Sequence, residues 1–256
     1  MDSLAKILDT IDGYIWGAPL LVALMLIGIF LTYKLRLIQV SNLVFSLKLV
    51  FKKSNESDES KQGEITGFAA LCTALASTIG TGNIVGVATA VHMGRPGALF
   101  WMFVAAFFGM TTKYSECLLA IKYREVDEKG KYRGGPMYYI KNGMHNKPLA
   151  ALFALLTVGA GCFGIGTYCQ VNSMVEANSI MFGMSPLASC AIISVLVGMV
   201  TLGGLKSISK VSTKLIPLMA VFYIVGCLFV IAVNIQGLPA AIVTIVSSAF
   251  SFDAGL

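Results

Sequence analysis

The sequence predicts an all-α polytopic membrane protein, and three observations carry that prediction. Mean hydropathy is +0.79. Charged residues make up 12% of the chain, against roughly 25% in a soluble domain. Uncharged apolar runs alternate with short charged segments, and most are close to the roughly 20 residues that cross a bilayer as a helix. A soluble enzyme or binding domain is thereby excluded, and a domain count from length does not apply.

Met1 to Gly13 is predicted to form a short surface helix with Leu4, Ile7, Leu8 and Ile11 on one face. Asp2, Asp9 and Asp12 precede the first apolar run and no cleavage site follows it, which argues against a removed signal peptide. Tyr14 to Tyr33 is uncharged and long enough for a first span. Lys34 to Glu64 is polar and basic; within it Val40, Leu43, Val44, Leu47 and Phe51 fit an amphipathic helix lying on the membrane, and Ser54 to Lys61 reads as a solvated linker. Ile65 to Gly94 contains no Asp, Glu, Lys or Arg. Gly94-Arg95-Pro96-Gly97 is a turn. The third span runs from Ala98 to Ile121, and Lys122 to Lys147 is a charged loop containing Gly134-Gly135-Pro136-Met137-Tyr138-Tyr139. Pro148 to Val175 is uncharged and too long for an upright span, so it must tilt or kink. The fifth and sixth spans run from Pro186 to Leu205 and from Leu215 to Val233, and Leu238 to Phe252 is apolar but short.

A net charge of +6 and a pI near 9.0 raise nucleic-acid binding as a reading. The positions remove it. With six spans and the first loop inside, residues 34–64, 113–147 and 206–214 carry six, eight and three of the 19 Lys and Arg, which leaves Lys6 and Arg95 outside. That asymmetry is a topology signal and places the N-terminus outside.

The stretch Ile65–Gly94 holds the candidate site. As one straight helix it would be roughly 45 Å long, against a hydrocarbon core of about 30 Å. Its middle, Ser77-Thr78-Ile79-Gly80-Thr81-Gly82-Asn83, places glycines and polar side chains where a spanning helix carries Leu or Val. Backbone leaves the helix at this depth only where it is buried in protein or lines a wet cavity. Two half-helices meeting at Gly80–Gly82 are therefore expected, with freed N–H and C=O groups directed at an ion and a charged ligand. Glycine at 80 and 82 is expected to serve positive φ. Gly82, Gly86 and Ala90 also fit a close-packing face. A dinucleotide-binding turn is excluded, because the spacing is GxGxxxG and the next acidic residue is Glu116.

Glu116 is the one carboxylate inside the predicted spans, three residues after Lys113; it is either a functional group or half of an i,i+3 pair. In the fourth span, glycines 159, 161, 164 and 166 permit close helix approach, and Gln170 and Asn172 add donors and acceptors. The six cysteines lie in apolar runs without a CxxC pair and read as small core residues. His92 and His145 lack a partner at metal-ligand spacing, and Ser77 and Thr81 lack a neighbouring base. Lys206 and Lys210 read as loop charges facing inside.

Four motifs in order resemble the sodium:alanine (alanine or glycine:cation) symporter family: Ala76-Ser77-Thr78-Ile79-Gly80-Thr81-Gly82-Asn83-Ile84-Val85-Gly86-Val87-Ala88, then Gly94 to Met102, then Lys113-Tyr114-Ser115-Glu116, then Gly134 to Ile140. The resemblance implies the leucine-transporter fold: an extra N-terminal helix followed by five-helix inverted repeats. Residues 1–64 would hold the extra helix and basic linker, 65–235 the first repeat, and 236–256 the start of a second. It implies sodium bound by carbonyls of Ala76, Thr78 and Ile79 and the Asn83 side chain, and a substrate carboxylate met by N–H groups of Gly80, Thr81 and Gly82. Thr78, Phe163, Gly164 and Gln170 would line the substrate pocket, and Glu116 would be a buried support for another broken helix. The family often has Asn where this chain has Thr167. The implied function is symport of alanine or glycine with Na+ across the cytoplasmic membrane, with no enzymatic activity and no organic cofactor. Family members are longer, so the expectation is a fragment needing a second half, or a truncated, non-transporting scaffold or regulatory half.

Overall fold

A computed structural model describes residues 2–51, 66–128, 130 and 132–251. The described residues are almost wholly helical. The first part comprises α1 (Asp2–Ile15), α2 (Ala18–Lys34), α3 (Ile38–Ser41) and α4 (Leu43–Phe51). Next come α5 (Gly67–Thr78), a 3-10 turn (Thr81–Asn83), α6 (Val85–Met93) and α7 (Gly97–Lys122). A two-stranded hairpin, β1 (Glu125–Val126) and β2 (Tyr132–Arg133), leads to α8 (Pro136–Gly143), α9 (Lys147–Phe163) and α10 (Ile165–Phe182). The last part is α11 (Pro186–Thr201), α12 (Gly204–Val233), a 3-10 turn (Ile235–Gly237) and α13 (Leu238–Ala249). Among the described residues, Lys6–Lys34, Lys147–Phe182 and Gly204–Val233 are long and apolar enough to cross a membrane; Gly67–Thr78, Pro186–Thr201 and Ile235–Ala249 are shorter apolar helices.

Helix starts follow their local chemistry. Thr66 Oγ1 accepts from the Ala69 N–H at 3.3 Å to open α5, and Asn146 Oδ1 accepts from Leu149 N–H at 3.0 Å to open α9. Ser185 Oγ accepts from Ala188 N–H at 3.4 Å before Pro186 in α11. Each satisfies one of the N–H groups that a helix leaves without a partner at its start.

The packing is that of a protein whose solvent is lipid. Large side chains such as Leu155, Leu202, Phe222 and Phe229 point outward, while the buried set is small: Ala69, Cys72, Ala150, Ala249, Thr32, Thr111, Ser189, Ser209 and Ser212, with Ile140 and Ile216. Small residues let helix backbones approach where hydrophobic burial gives no drive. α2 meets α7 through a hydroxyl seam: Thr32 Oγ1 and Thr111 Oγ1 are 3.0 Å apart, and Thr111 Oγ1 is 3.2 Å from the Gly28 carbonyl. α13 lies on the start of α7, where the Trp101 indole N–H donates to the Ala249 carbonyl at 2.9 Å and Phe100, Trp101 and Phe250 cluster. α5 packs on α12, and α10, α11 and α12 pack in sequence.

Three expectations are corrected. The fourth span does not stop at Val175: α10 runs to Phe182 and includes Glu176. The sixth begins at Gly204, so Lys206, Lys210 and Lys214 sit on α12, not in a loop. In both cases a helix continues past the point where charges begin. The described residues between Lys122 and Lys147 form a hairpin and a helix: Glu125 pairs with Arg133 and Val126 with Tyr132 across the hairpin, and the Gly-Gly-Pro motif opens α8. The expected linker Ser54–Lys61 lies outside the described residues.

Candidate functional site

The charge-free stretch is broken where the sequence predicts. α5 ends at Thr78; Ile79 (φ −80, ψ 115) and Gly80 (φ −147, ψ −166) are extended; the 3-10 turn follows and α6 resumes the helix at Val85. The turn is tied to Gly80 from both sides. Gly80 N–H donates to Asn83 Oδ1 at 3.0 Å, and Asn83 N–H donates to the Gly80 carbonyl at 3.1 Å. The hydroxyls of Ser77 and Thr78 each donate to the Ala74 carbonyl at 2.8 Å, which leaves lone pairs on both oxygens.

The break leaves two sets of backbone groups. Among the described residues, no backbone N–H donates to the carbonyls of Ala76, Ser77, Thr78 or Ile79, and the N–H groups of Thr81 and Gly82 meet no backbone carbonyl. The C-terminal end of α5 therefore presents partial negative charge and the start of the following turn partial positive charge. No charged side chain occurs between Gly67 and Gly94, so the break itself offers only dipoles.

Gln170, from α10, is brought to this break. A Cβ added at Gly80 would lie 3.0 Å from Gln170 Nε2 and 3.3 Å from its Cδ. A Cβ at Gly80 would require the Gln170 side chain to give way, and the expected reason for the glycines is corrected: neither Gly80 nor Gly82 has positive φ. Gly82 and Gly86 have open space where a Cβ would stand, so no neighbour among the described residues requires glycine for packing at either. Thr81 is half-buried, and Thr78, Gly82 and Asn83 are exposed.

The other expected pocket residues are placed differently. Gly164 separates α9 from α10 with ψ 137, and an added Cβ there would collide with the Ala160 carbonyl one turn earlier. Phe163 is 83% exposed. Thr167 is also exposed. Glu116 pairs with Lys113 at 3.1 Å, with the two side chains 41% and 66% exposed. The i,i+3 spacing on one helix produces this pair without tertiary help.

Sequence reasoning missed the order in the loop after α7. Lys141 Nζ and Asn142 Nδ2 both donate to Glu125 Oε1, at 2.8 and 2.9 Å, and together they hold the Glu125 carboxyl below the usual range. Arg133 Nη2 reaches Asp127 Oδ2 at 2.7 Å, and the Arg124 guanidinium lies 4.2 Å from the Tyr132 ring centre. α8 packs on α7, and burial, then the Glu116 carboxylate, pushes the Tyr139 hydroxyl up. The only available signal was the Gly-Gly-Pro start of α8. No group of His, Cys, Asp or Glu suited to a metal occurs among the described residues.

The profile of the sodium:alanine symporter family matches residues 1–256. An uncharacterised transporter of Haemophilus influenzae is 49% identical over 254 residues, covering 99% of this chain and 55% of the relative. The sodium/alanine symporter AgcS of Methanococcus maripaludis is 46% identical over 253 residues, covering 98% and 55%. The putative sodium/proton-dependent alanine carrier YrbD of Bacillus subtilis is 36% identical over 250 residues, covering 98% and 50%. The chain thus spans about half the length of the curated relatives it matches.

Proposed function

The chain belongs to the sodium:alanine symporter family, and from that premise we propose that it carries the ion and substrate site of a sodium-coupled symporter for alanine or glycine. The observation that carries the reading is the break itself, with unpaired carbonyls at Ala76–Ile79 on one side and unpaired N–H groups at Thr81 and Gly82 on the other. Sodium is a hard cation that takes oxygen ligands. In this reading the carbonyls of Ala76, Thr78 and Ile79 and the Asn83 side chain hold it. The N–H groups of Gly80, Thr81 and Gly82 meet the substrate carboxylate. Gln170 closes the pocket against Gly80, in keeping with their contact. Sodium beside a carboxylate in a medium of low dielectric favours its binding, so each ligand raises the other's affinity.

The fold proposed is the leucine-transporter arrangement. The broken pair α5–α6, then α7, α9–α10, α11 and α12, supply the five members of a first repeat within 65–235. Residence in the cytoplasmic membrane with the N-terminus outside is supported by the Lys and Arg asymmetry.

The test is uptake of radiolabelled alanine by the whole protein in proteoliposomes. Uptake is expected with an inward sodium gradient and is expected to vanish when potassium replaces sodium. Equal uptake in both salts overturns the reading.

A further inference from the structure

We propose that Asn83 is a switch that makes the carboxylate-binding amide of Gly80 available only when sodium is bound. The proposal rests on the transport site described above and adds how one ligand calls for the other. Its basis is the 3.0 Å bond from Gly80 N–H to Asn83 Oδ1. The same oxygen is the proposed sodium ligand, and the same N–H is one of the proposed carboxylate donors. In this structure Asn83 therefore occupies the donor that the substrate needs.

The chemistry gives the switch its direction. Gly80 N–H is a donor, so the amide atom facing it must be the carbonyl oxygen, and the orientation of the Asn83 side chain is assigned by that bond. Oδ1 has two lone pairs. A sodium ion on one of them puts a full positive charge beside the partly positive hydrogen on the other. The two repel, and Oδ1 turns toward the ion. Gly80 N–H then joins the N–H groups of Thr81 and Gly82, which lack backbone partners among the described residues, as a third donor. The turn survives the loss, because Asn83 N–H to the Gly80 carbonyl and Ile84 N–H to the Thr81 carbonyl, both 3.1 Å, do not involve the side chain. Gln170 stands on the Cα side of Gly80 and has no acceptor bonded to this N–H, so it does not substitute for Asn83.

A residue that only ligates sodium and a residue that also gates the amide predict different things for Asn83→Ala. The switch predicts that Asn83→Ala binds alanine in sodium-free buffer about fivefold more tightly than the unaltered protein, the factor that goes with removing one competing neutral hydrogen bond. The enhancement of alanine affinity by saturating sodium should shrink by at least the same factor. A simple ligand predicts an unchanged sodium-free affinity and only a higher sodium requirement.

The measurement is equilibrium binding of radiolabelled alanine to the whole protein in detergent, with choline or sodium as the cation. A second measurement needs no variant: residue-resolved hydrogen exchange at the Gly80 amide. Exchange is expected to be slow without ligands, faster with sodium alone, and slow again with sodium and alanine. Slower exchange with sodium alone overturns the switch, as does an unchanged sodium-free affinity in Asn83→Ala. If the unaltered protein binds alanine equally well with choline and sodium, the site reading falls and the switch with it. Sodium-dependent binding with no change in either of the other readouts removes the switch alone.

Discussion

The two helix interruptions, at Gly80 and at Gly164, share one sequence signal and differ in what surrounds the glycine. At Gly164 the helix resumes at the next residue, no side chain returns to cap the break, and the obstacle to a Cβ is the backbone carbonyl of Ala160. At Gly80 the chain stays out of an α-helix from Ile79 to Ile84, Asn83 reaches back to the freed N–H, and the obstacle is the flexible end of Gln170. A backbone obstacle makes glycine a requirement of folding. A side-chain obstacle makes it a requirement of spacing within a pocket. If the proposed site is right, the same residue type therefore carries stability at one break and function at the other.

The largest expected effect separates these roles. Gly164→Ala must push the chain away from Ala160, and overpacking of this kind costs about 1–3 kcal/mol. Its thermal unfolding midpoint in detergent and its folded yield should both fall. Gly80→Ala meets a side chain that can move, and its φ of −147 suits any residue. It should keep a near-normal midpoint and lose sodium-driven alanine uptake. The reverse pattern, with stability lost at Gly80 and uptake alone lost at Gly164, would break the comparison.

A smaller effect tests the named contact. Gln170→Ala removes the atoms that an added Cβ at Gly80 would meet at 3.0 Å. In a double-mutant cycle, the cost of Gly80→Ala should be lower in the Gln170→Ala background, with a coupling of about 0.5–1 kcal/mol in apparent binding energy. Additive effects would mean that Gln170 and Gly80 do not share a pocket.

Much of this architecture is legible in the sequence because membrane helices are marked by length and by the absence of charge. The break was legible for the same reason: Ser77 to Asn83 is too polar and the stretch too long for one span. What escaped had no one-dimensional signature. The contact between Gln170 and Gly80 depends on how α10 crosses the turn, and residues so far apart in the chain give no periodicity. Glu116 stands out because a carboxylate within a span is rare, and the partner it meets is Lys113 on the same helix. Glu176 ends the uncharged run without ending the helix, because a helix ends where its capping chemistry changes, here at Gly183 with φ 64. The ties between Glu125 and Lys141 and Asn142 involve exposed polar residues whose pairing only the fold decides.

The smallest expected effect lies at Gly82, and it sharpens the comparison by removing glycine from the explanation. Gly82 shares the 3-10 turn with Thr81 and Asn83, so a reading based on glycine content treats it like Gly80. The geometry does not. Its φ is not positive, and a Cβ there meets nothing within 4 Å. Alanine is better than glycine in a helix by about 1 kcal/mol, so Gly82→Ala should leave the unfolding midpoint unchanged or slightly raised. Its N–H remains, because every residue but proline keeps that donor. Alanine affinity at saturating sodium should therefore stay within about twofold, a difference of about 0.4 kcal/mol. Gly82→Pro is the matching control, since proline removes the N–H itself. If Gly82→Ala retains binding and Gly82→Pro loses it, the backbone donor is what the substrate uses at this position. If both lose it, the space beside Gly82 is occupied in the bound state, and the distinction between spacing at Gly80 and open backbone at Gly82 fails.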